Sequence, residues 1–133
     1  MRIYLDFDGT VVEHNFPAVG EENPNAVKVI SMLQRAGHDL ILNTYRADID
    51  LTYVQEAISF LNSNPNLSKP IDVFLPKKLD PNPFDLENAK ICNQLYIDDI
   101  AEGIPLRRNI KLEYGMMVDW IQLEKLFQAK NII

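Results

Sequence analysis

Short apolar segments alternate with amphipathic ones along this chain of 133 residues. The apolar segments have the length and composition of buried strands and lie at 2–7, 38–44, 71–75 and 94–98, with a weaker fifth at 109–113. The amphipathic segments predict helices over 24–36, 51–62, 85–92 and 117–129. Because strands that alternate with helices pair in parallel, this order predicts an α/β fold of three-layer, Rossmann-like architecture with a central parallel sheet of about five strands.

Local signals predict where the helices begin and end. Asn23 is a candidate N-cap for the first helix, which Gly37 would stop, and Asp50 and Asp85 are the candidate N-caps of the second and third. Each helix would bury one apolar face. The side chains expected on these faces are Ala26, Val29, Ile30 and Leu33 in the first helix, Leu51, Val54, Ile58 and Leu61 in the second, and Trp120, Leu123, Leu126 and Phe127 in the last.

The length and charge of the chain restrict the kinds of protein it can be. Residues 1–133 suit one domain with a single core. The net charge of −6 argues against broad binding to nucleic acid or an anionic membrane, and no apolar stretch approaches a membrane span. Cys92 is the one cysteine, which excludes an internal disulfide and a cysteine metal cluster, and we expect it to be buried. With no leader-like segment at the start, we expect a cytoplasmic protein.

Unusual polar side chains stand at the end of each of the first four predicted strands. In chain order they are Asp6 and Asp8, Thr44 and Arg46, Lys77 and Lys78, and Asp98 and Asp99. The carboxyl ends of parallel strands lie at one edge of a sheet, and α/β proteins bind their ligands there. We therefore expect these groups to meet at one site.

Carboxylates crowded in this way repel one another and resist burial unless a cation compensates them. Oxygen ligands suit a hard divalent ion, above all Mg²⁺, which also accepts a phosphate oxygen. An ionised aspartate can attack phosphorus to form an aspartyl-phosphate, and a second carboxylate can protonate the leaving group and then deprotonate water. A lysine and the metal would offset the charge that develops. The residue types therefore indicate phosphoryl chemistry on a phosphorylated substrate.

Three motifs in this order are similar to those of the haloacid dehalogenase-like superfamily. "DFDGTV" (6–11) resembles the first motif, Asp-x-Asp-Gly-Thr-Val/Leu, and "LILNTYR" (40–46) resembles the second, an apolar strand that ends in Thr or Ser. "LYIDD" (95–99) resembles the fourth, an apolar strand that ends in paired acids. The match spans residues 2–99, and it implies a small hydrolase of this superfamily.

The resemblance implies a role for each matching residue. Asp6 would be the nucleophile and a Mg²⁺ ligand, and Asp8 would be the general acid and base, with its backbone carbonyl on the metal. Thr44 would hydrogen-bond the transferring phosphoryl group. Asp99 would bind the metal directly and Asp98 through a water. An acid at the position of Asp8 is typical of the phosphatases and phosphomutases of the superfamily.

Three lysines are candidates for the third motif, which supplies the charge-stabilising ammonium group. Lys77 and Lys78 follow the third predicted strand on the active edge, and we favour Lys78. Lys90 precedes the fourth strand, whose five residues span roughly 16 Å at the usual rise, so it should lie near the opposite edge.

Residues beside the motifs are candidates for contact with the substrate. They are Gly9, Thr10, Tyr45, Arg46 and Lys77. For Arg46 the alternative is an ion pair with Asp48 or Asp50.

The connections between the motifs leave no room for the cap domain of larger superfamily members. The resemblance therefore implies an open site, which suits a bulky phosphorylated substrate or is closed by a neighbouring subunit of a homo-oligomer. Segment 12–22 would form a flap over the mouth of the site. His14 in this flap would be either a solvated loop residue or a substrate contact.

The leading hypothesis for function is a Mg²⁺-dependent phosphatase that works through an aspartyl-phosphate. The alternative is a receiver-like signalling domain that accepts a phosphoryl group on aspartate, although receivers carry the acidic pair after the first strand and the acceptor after the third. A catalytically silent phosphate-binding module on the same fold is a further alternative. We expect no membrane partner and no nucleic acid, because no basic patch is present.

Overall fold

The structure is a computed structural model that describes residues 1–75, 77–111 and 115–133 and has a mixed α/β fold. Its strands are β1 (Arg2–Leu5), β2 (Asp39–Leu42), β3 (Asp72–Val73), β4 (Gln94–Ile97), β5 (Leu106–Arg108) and β6 (Met116–Val118). Its helices are α1 (Ala26–Arg35), α2 (Arg46–Ile49), α3 (Leu51–Asn62), α4 (Leu86–Cys92) and α5 (Trp120–Ala129).

Strands β1 to β4 form a parallel sheet in the order β3-β2-β1-β4. In the central strand β1, Leu5 is aligned with Leu42 of β2 and with Ile97 of β4. All three side chains are fully buried. Because each of these strands ends at the same level, the residues that follow them emerge together at one edge of the sheet.

The fifth strand predicted at 109–113 is not part of this sheet. Strands β5 and β6 pair antiparallel as a separate ribbon, and residues 109–111 lie in the connection between them. The side chain of Asn109 accepts a hydrogen bond from the Lys111 N–H at 3.0 Å, a local turn that competes with strand pairing. Residues 112 and 113 lie outside the described residues. Within the described residues the parallel sheet therefore has four strands, not about five.

Two of the three predicted helix caps are confirmed. Asp50 and Asp85 cap α3 and α4 by accepting hydrogen bonds from backbone N–H groups two and three residues further on, at 2.8 and 3.1 Å. The prediction that Asn23 caps α1 was wrong. Its buried amide donates instead to the carbonyls of Thr10 at 2.9 Å and Val118 at 2.7 Å. Asn23 thus joins two distant parts of the chain.

The last helix begins later than the sequence predicts. Residues 116–118 extend as β6, and Asp119 then caps α5 by accepting hydrogen bonds from the N–H groups of Ile121 and Gln122, both at 3.1 Å. A single aspartate therefore separates the strand from the helix.

The apolar helix faces agree with the sequence pattern except at their margins. Every predicted inward residue of α1 is fully buried. Leu51 and Leu126 are exposed, because the first lies at the start of α3 and the second lies beside the stripe formed by Trp120, Leu123 and Phe127. Cys92, at the end of α4, is exposed rather than buried.

The core is one cluster to which the sheet and the helices α1, α3, α4 and α5 contribute. It joins Ile3 of β1, Leu95 of β4, Ile30 of α1 and Phe127 of α5. Within the described part of the chain, no helix is both long and apolar enough to cross a bilayer. The buried sheet thus forms a rigid support for the loops at its carboxyl edge.

Candidate functional site at the carboxyl edge of the sheet

The chain leaves β1 at Asp6 and turns back at once. The Asp6 N–H donates to the Ile97 carbonyl of β4 at 2.9 Å, which continues the strand pairing by one residue. Phe7 is fully buried in the core, whereas Asp6 and Asp8 on either side of it both line a cavity. The turn closes where the Val11 N–H donates to the Phe7 carbonyl at 2.8 Å. The strand-to-turn geometry therefore presents both aspartates on one side.

Position 9 in this turn requires a glycine, because of its backbone conformation and because of the side chains that surround it. Its φ of 78° lies in the left-handed region that side chains rarely adopt. A Cβ atom here would collide with the imidazole of His14 and lie 2.7 Å from Oδ2 of Asp99. Gly9 does not itself line the cavity. It makes room for the two side chains that meet above it.

Three carboxylates from opposite ends of the chain form an acidic cluster, defined as Asp6, Asp98 and Asp99. One oxygen from each lies within 4.8 Å of the others. Burial raises the pKa of Asp6 well above its ordinary value, and repulsion from the other two acids adds to the rise. Burial also raises the pKa of Asp98. A cation bound at the cluster would relieve this repulsion.

Lys78 is the lysine that reaches the acidic cluster. Its Nζ lies 3.3 Å from Oδ1 of Asp6 and 2.8 Å from Oδ2 of Asp98, and its side chain is only 2% exposed. The ammonium also lies 4.3 Å from the centre of the Tyr45 ring. Burial alone would lower the pKa of Lys78, but Asp6 and Asp98 outweigh it and raise the pKa. Lys78 is therefore charged at neutral pH.

The loop that carries Lys78 is tied to the end of β2. The side chain of Asn43 donates to the Leu79 carbonyl at 2.9 Å and accepts from the Leu79 N–H at 2.8 Å. The Lys78 N–H donates to Oδ1 of Asp48 at 2.9 Å. The sequence analysis did not single out Asn43. An asparagine that directly follows a buried strand is a signal that its side chain holds a neighbouring loop.

The other two candidate lysines lie elsewhere. Lys77 is exposed and does not line the cavity. The Lys90 ammonium donates to the carbonyl of Lys130, just after α5. Of the three candidates, the structure brings only Lys78 to the acidic cluster.

Asp8 is held by a two-point ion pair with Arg46. Nε of Arg46 donates to Oδ2 of Asp8 at 2.8 Å, and Nη2 donates to Oδ1 at 2.9 Å. The sequence left Arg46 open between a substrate contact and an ion pair with Asp48 or Asp50, and the structure pairs it with Asp8 and not with either of those two. The pair spans 38 residues of chain, so no local pattern indicates it. Asp8 keeps 18% of its side chain exposed and lines the cavity.

Arg46 also binds the predicted flap, segment 12–22. Its guanidinium donates to the carbonyls of Pro17 at 3.2 Å and Ala18 at 3.0 Å. It lies 5.2 Å from the centre of the Phe7 ring and 5.1 Å from that of Phe16. The side chain of Arg46 is only 1% exposed. One buried guanidinium thus links the β1 turn to the flap.

The two threonines of the motifs occupy different positions. Thr44 is buried, lines the cavity and accepts the Arg46 N–H at 3.1 Å, which leaves its hydroxyl proton free for a ligand. Thr10 lies beneath the acidic cluster and does not line the cavity. Its hydroxyl donates to Oδ2 of Asp6 at 2.8 Å and accepts from the Asp99 N–H at 3.2 Å. Thr10 therefore orients acids instead of contacting the cavity.

The backbone of Thr10 is also held from the far end of the chain. Its carbonyl accepts the indole N–H of Trp120 at 2.7 Å and the amide of Asn23 at 2.9 Å. Both donors are fully buried. Helix α5 thus supports the first motif directly.

His14 brings the flap onto the acidic cluster. Its Nε2 lies 3.0 Å from Oδ2 of Asp99. The hydrogen bond to Asp99 raises the pKa of His14. Burial alone would raise the pKa of Asp99, but its hydrogen bonds, that from His14 foremost, lower it. The sequence left His14 open between solvent and substrate, because its partner lies 85 residues away.

A cavity of about 270 Å³ opens above these residues. Seven of the residues predicted for the site line it, namely Asp6, Asp8, Thr44, Tyr45, Arg46, Lys78 and Asp99. Four further residues that the sequence did not assign to the site also line it, namely His14, Phe16, Ile49 and Ile100. Gly9, Thr10, Lys77 and Asp98 do not. The cavity therefore combines a charged base with apolar walls.

The donor set of the acidic cluster fits a hard divalent cation. All three side chains offer carboxylate oxygens, and no cysteine is close enough to contribute sulfur among the described residues. Lys78 compensates part of the negative charge on Asp6 and Asp98. Among the described residues, the charged partner of Asp99 is His14, and a cation would complete the charge balance there.

Comparison with known proteins gives one informative match. No family model matches the chain, and no curated protein matches it. A solved structure of a conserved protein from Bacteroides thetaiotaomicron is similar, with a TM-score of 0.62 and 28% sequence identity. The match covers 98% of this chain and 91% of that chain. This chain therefore shares its α/β architecture with that conserved protein over almost their whole lengths.

Proposed function

We propose that this protein is a Mg²⁺-dependent phosphatase of the haloacid dehalogenase-like type that works through an aspartyl-phosphate. One observation carries the proposal: Asp6, Asp98, Asp99 and Lys78, from three separate parts of the chain, converge on one another, and all but Asp98 line a cavity. A structural role alone does not account for three adjacent carboxylates, since burying them together is unfavourable.

The sheet order supports the same proposal and the finer description of the fold. The order β3-β2-β1-β4 agrees with the Rossmann order 3-2-1-4 and differs from the flavodoxin-like order 2-1-3-4-5 of receiver domains. A three-layer, Rossmann-like arrangement is therefore part of the proposal. The receiver-like alternative is disfavoured by the same comparison.

The residues that would hold Mg²⁺ are Asp6, Asp99 and the backbone carbonyl of Asp8, with Asp98 acting through a water. When bound, the ion would neutralise charge shared between the carboxylates and a phosphoryl oxygen. Lys78 would neutralise the phosphoryl group from the other side, because its ammonium already lies beside Asp6.

The side chains of this protein would divide the reaction into two steps. Thr10 donates to Oδ2 of Asp6 and Lys78 donates to Oδ1. This carboxylate would attack phosphorus while the bond to the ester oxygen breaks. The Thr44 hydroxyl would donate to a phosphoryl oxygen. Asp8 would give a proton to the departing alcohol and then take one from the water that cleaves the aspartyl-phosphate. The products are the alcohol and inorganic phosphate.

Substitution of the nucleophile tests this proposal. Asp6→Asn should abolish phosphate release from phenyl phosphate in the presence of Mg²⁺, because an amide cannot form the acyl phosphate. Asp39→Asn, at the opposite edge of the sheet, is the matched control and should retain full activity. Circular dichroism would verify that both variants fold. Retained turnover in Asp6→Asn would rule out Asp6 as nucleophile.

The same assay separates the remaining alternatives. A phosphatase gives steady turnover, a receiver-like domain gives one long-lived phosphorylated state per chain, and a silent binding module gives neither. A cytoplasmic location and closure of the site by a second subunit stay predictions from the sequence.

A further inference from the structure

Four exposed apolar side chains surround the mouth of the cavity. Phe16, Tyr45, Ile49 and Ile100, here called the apolar rim, are 44%, 49%, 58% and 58% exposed. All four line the cavity. They come from three places in the chain: the flap, helix α2 with its N-cap residue, and the residue after the acidic pair. Apolar groups that converge on a concave site from separate segments indicate a ligand contact.

The two aromatic rings of the rim are held in place without being covered. The Phe16 ring packs edge-on against Tyr53 at 5.1 Å and over the Arg46 guanidinium. The Tyr45 ring lies over the Lys78 ammonium. Cation–π contacts of this kind restrict a ring, so less ordering is required when a ligand packs against it. About half of each ring stays free for that contact.

The charges in the cavity restrict the chemistry of the rest of the substrate, to which the phosphoryl group is attached. Its two strong cations, Lys78 and Arg46, are buried and paired with the acidic cluster and with Asp8. Apart from His14, the other ionisable groups on the described cavity walls are carboxylates or the Tyr45 phenol. A second anionic group on a substrate would therefore face carboxylates with no cation of its own. A polyol would find few polar partners on the rim.

We propose that the substrate is a phosphate monoester whose alcohol part is uncharged, apolar and about the size of an aromatic ring. This inference rests on the proposed function. The cavity of about 270 Å³ lies just below the range of drug-sized sites, which suits a phosphoryl group with one ring. The ring packs between Phe16 and Tyr45, with Ile49 and Ile100 beside it. In the overall reaction, water supplies the hydroxyl that ends on phosphate and the proton that ends on the alcohol.

A pair of substrates tests the class. Benzyl phosphate should be hydrolysed with a kcat/KM at least about tenfold above that of glycerol 3-phosphate. Glycerol is the more acidic alcohol, so chemical reactivity alone favours the polar ester. A preference for benzyl phosphate therefore reports contact with the protein. Equal rates, or a preference for glycerol 3-phosphate, would overturn the inference and leave the proposed phosphatase function intact.

A rim variant with a matched control localises the effect. Ile49→Ser should lower kcat/KM for benzyl phosphate about tenfold and change that for glycerol 3-phosphate by less than about twofold. Ile91→Ser removes a more exposed isoleucine on α4 (83% against 58% for Ile49), away from the cavity, and should change neither. An equal loss for both substrates in Ile49→Ser would show a structural effect and contradict the inference.

Direct binding separates this inference from the proposed function. With Mg²⁺ present, calorimetry should show that benzylphosphonate, which cannot be hydrolysed, binds at least about tenfold more tightly than 2,3-dihydroxypropylphosphonate. If neither phosphate ester is turned over but benzylphosphonate binds selectively, the apolar site stands and the phosphatase function fails. If neither phosphonate binds, the inference fails.

Discussion

At the scale of single residues, Arg46 contacts several separate parts of the site. Its guanidinium binds both oxygens of Asp8, two flap carbonyls and the carbonyl of Tyr53. A buried charge of this kind is costly unless its hydrogen bonds are made, and only a planar guanidinium can make this set at once. Arg46 is therefore a positioning residue that orients Asp8 and holds the flap.

Replacing Arg46 by lysine keeps the charge and removes the two-point geometry. We expect Arg46→Lys to lower the free energy of unfolding by about 2–4 kcal/mol and kcat for phenyl phosphate at least about tenfold. Urea denaturation and steady-state kinetics measure the two effects. Arg35→Lys, on the exposed end of α1, is the control and should change neither. Wild-type kcat in Arg46→Lys would contradict the positioning role.

Sequence reasoning identified the residue types of the site better than their contacts. Asp6, Lys78 and Asp99 were predicted to meet because parallel strands end at one edge of the sheet. Each strand can be recognised from its own short segment of sequence. The partners of Arg46 and His14 depend on how the flap folds back. Such contacts between loops follow from packing, for which a single sequence carries no periodic signal.

At the scale of elements, two of the three helix caps and most of the helix faces were predictable, because they depend on neighbouring residues. Asp50 before α3 and Asp85 before α4 are examples. The lengths of the strands were not predictable in this way. The run at 71–75 is strand only over Asp72–Val73, since β3 is an edge strand that pairs with β2 alone. The turn after β1, in contrast, is specified by its glycine.

Gly9 and Gly37 have similar backbone angles but different surroundings, so substituting each of them distinguishes backbone strain from steric collision. Gly37 has a φ of 91° and open space where a Cβ would lie, whereas Gly9 has a φ of 78° and His14 and Asp99 in that space. Gly37→Ala should cost about 1–2 kcal/mol of stability and leave activity unchanged. Gly9→Ala should cost more and also reduce kcat, because the acidic cluster must move. Thermal unfolding and kinetics on both variants test this, and equal effects would refute it.

At the scale of the whole molecule, the proposed metal site would couple stability to pH and to metal binding. Burial raises the pKa of Asp6 in the folded chain above its unfolded value. In the metal-free protein, the stability from this group is present at low pH and declines as pH rises from the unfolded to the folded pKa. A divalent cation bound to Asp6 would displace this proton, so we expect its binding to be tighter at higher pH.

We therefore expect Mg²⁺ to raise the melting temperature more at pH 8 than at pH 6. Thermal denaturation of protein treated with a chelator, with and without added Mg²⁺, measures the difference at each pH. Asp6→Asn removes the titrating group and should reduce both the Mg²⁺ effect and its dependence on pH. A Mg²⁺ effect that is larger at pH 6 than at pH 8 would contradict the competition between proton and metal at Asp6.

The carbonyl of Thr10 has a consequence for how the chain matures. Its two side-chain donors are Asn23 and Trp120, and the second is 110 residues away. Asp6 and Asp8 are synthesised more than 100 residues before Trp120. On the nascent polypeptide, the turn after β1 therefore stays without this hydrogen bond until Trp120 has been synthesised and has folded back onto Thr10.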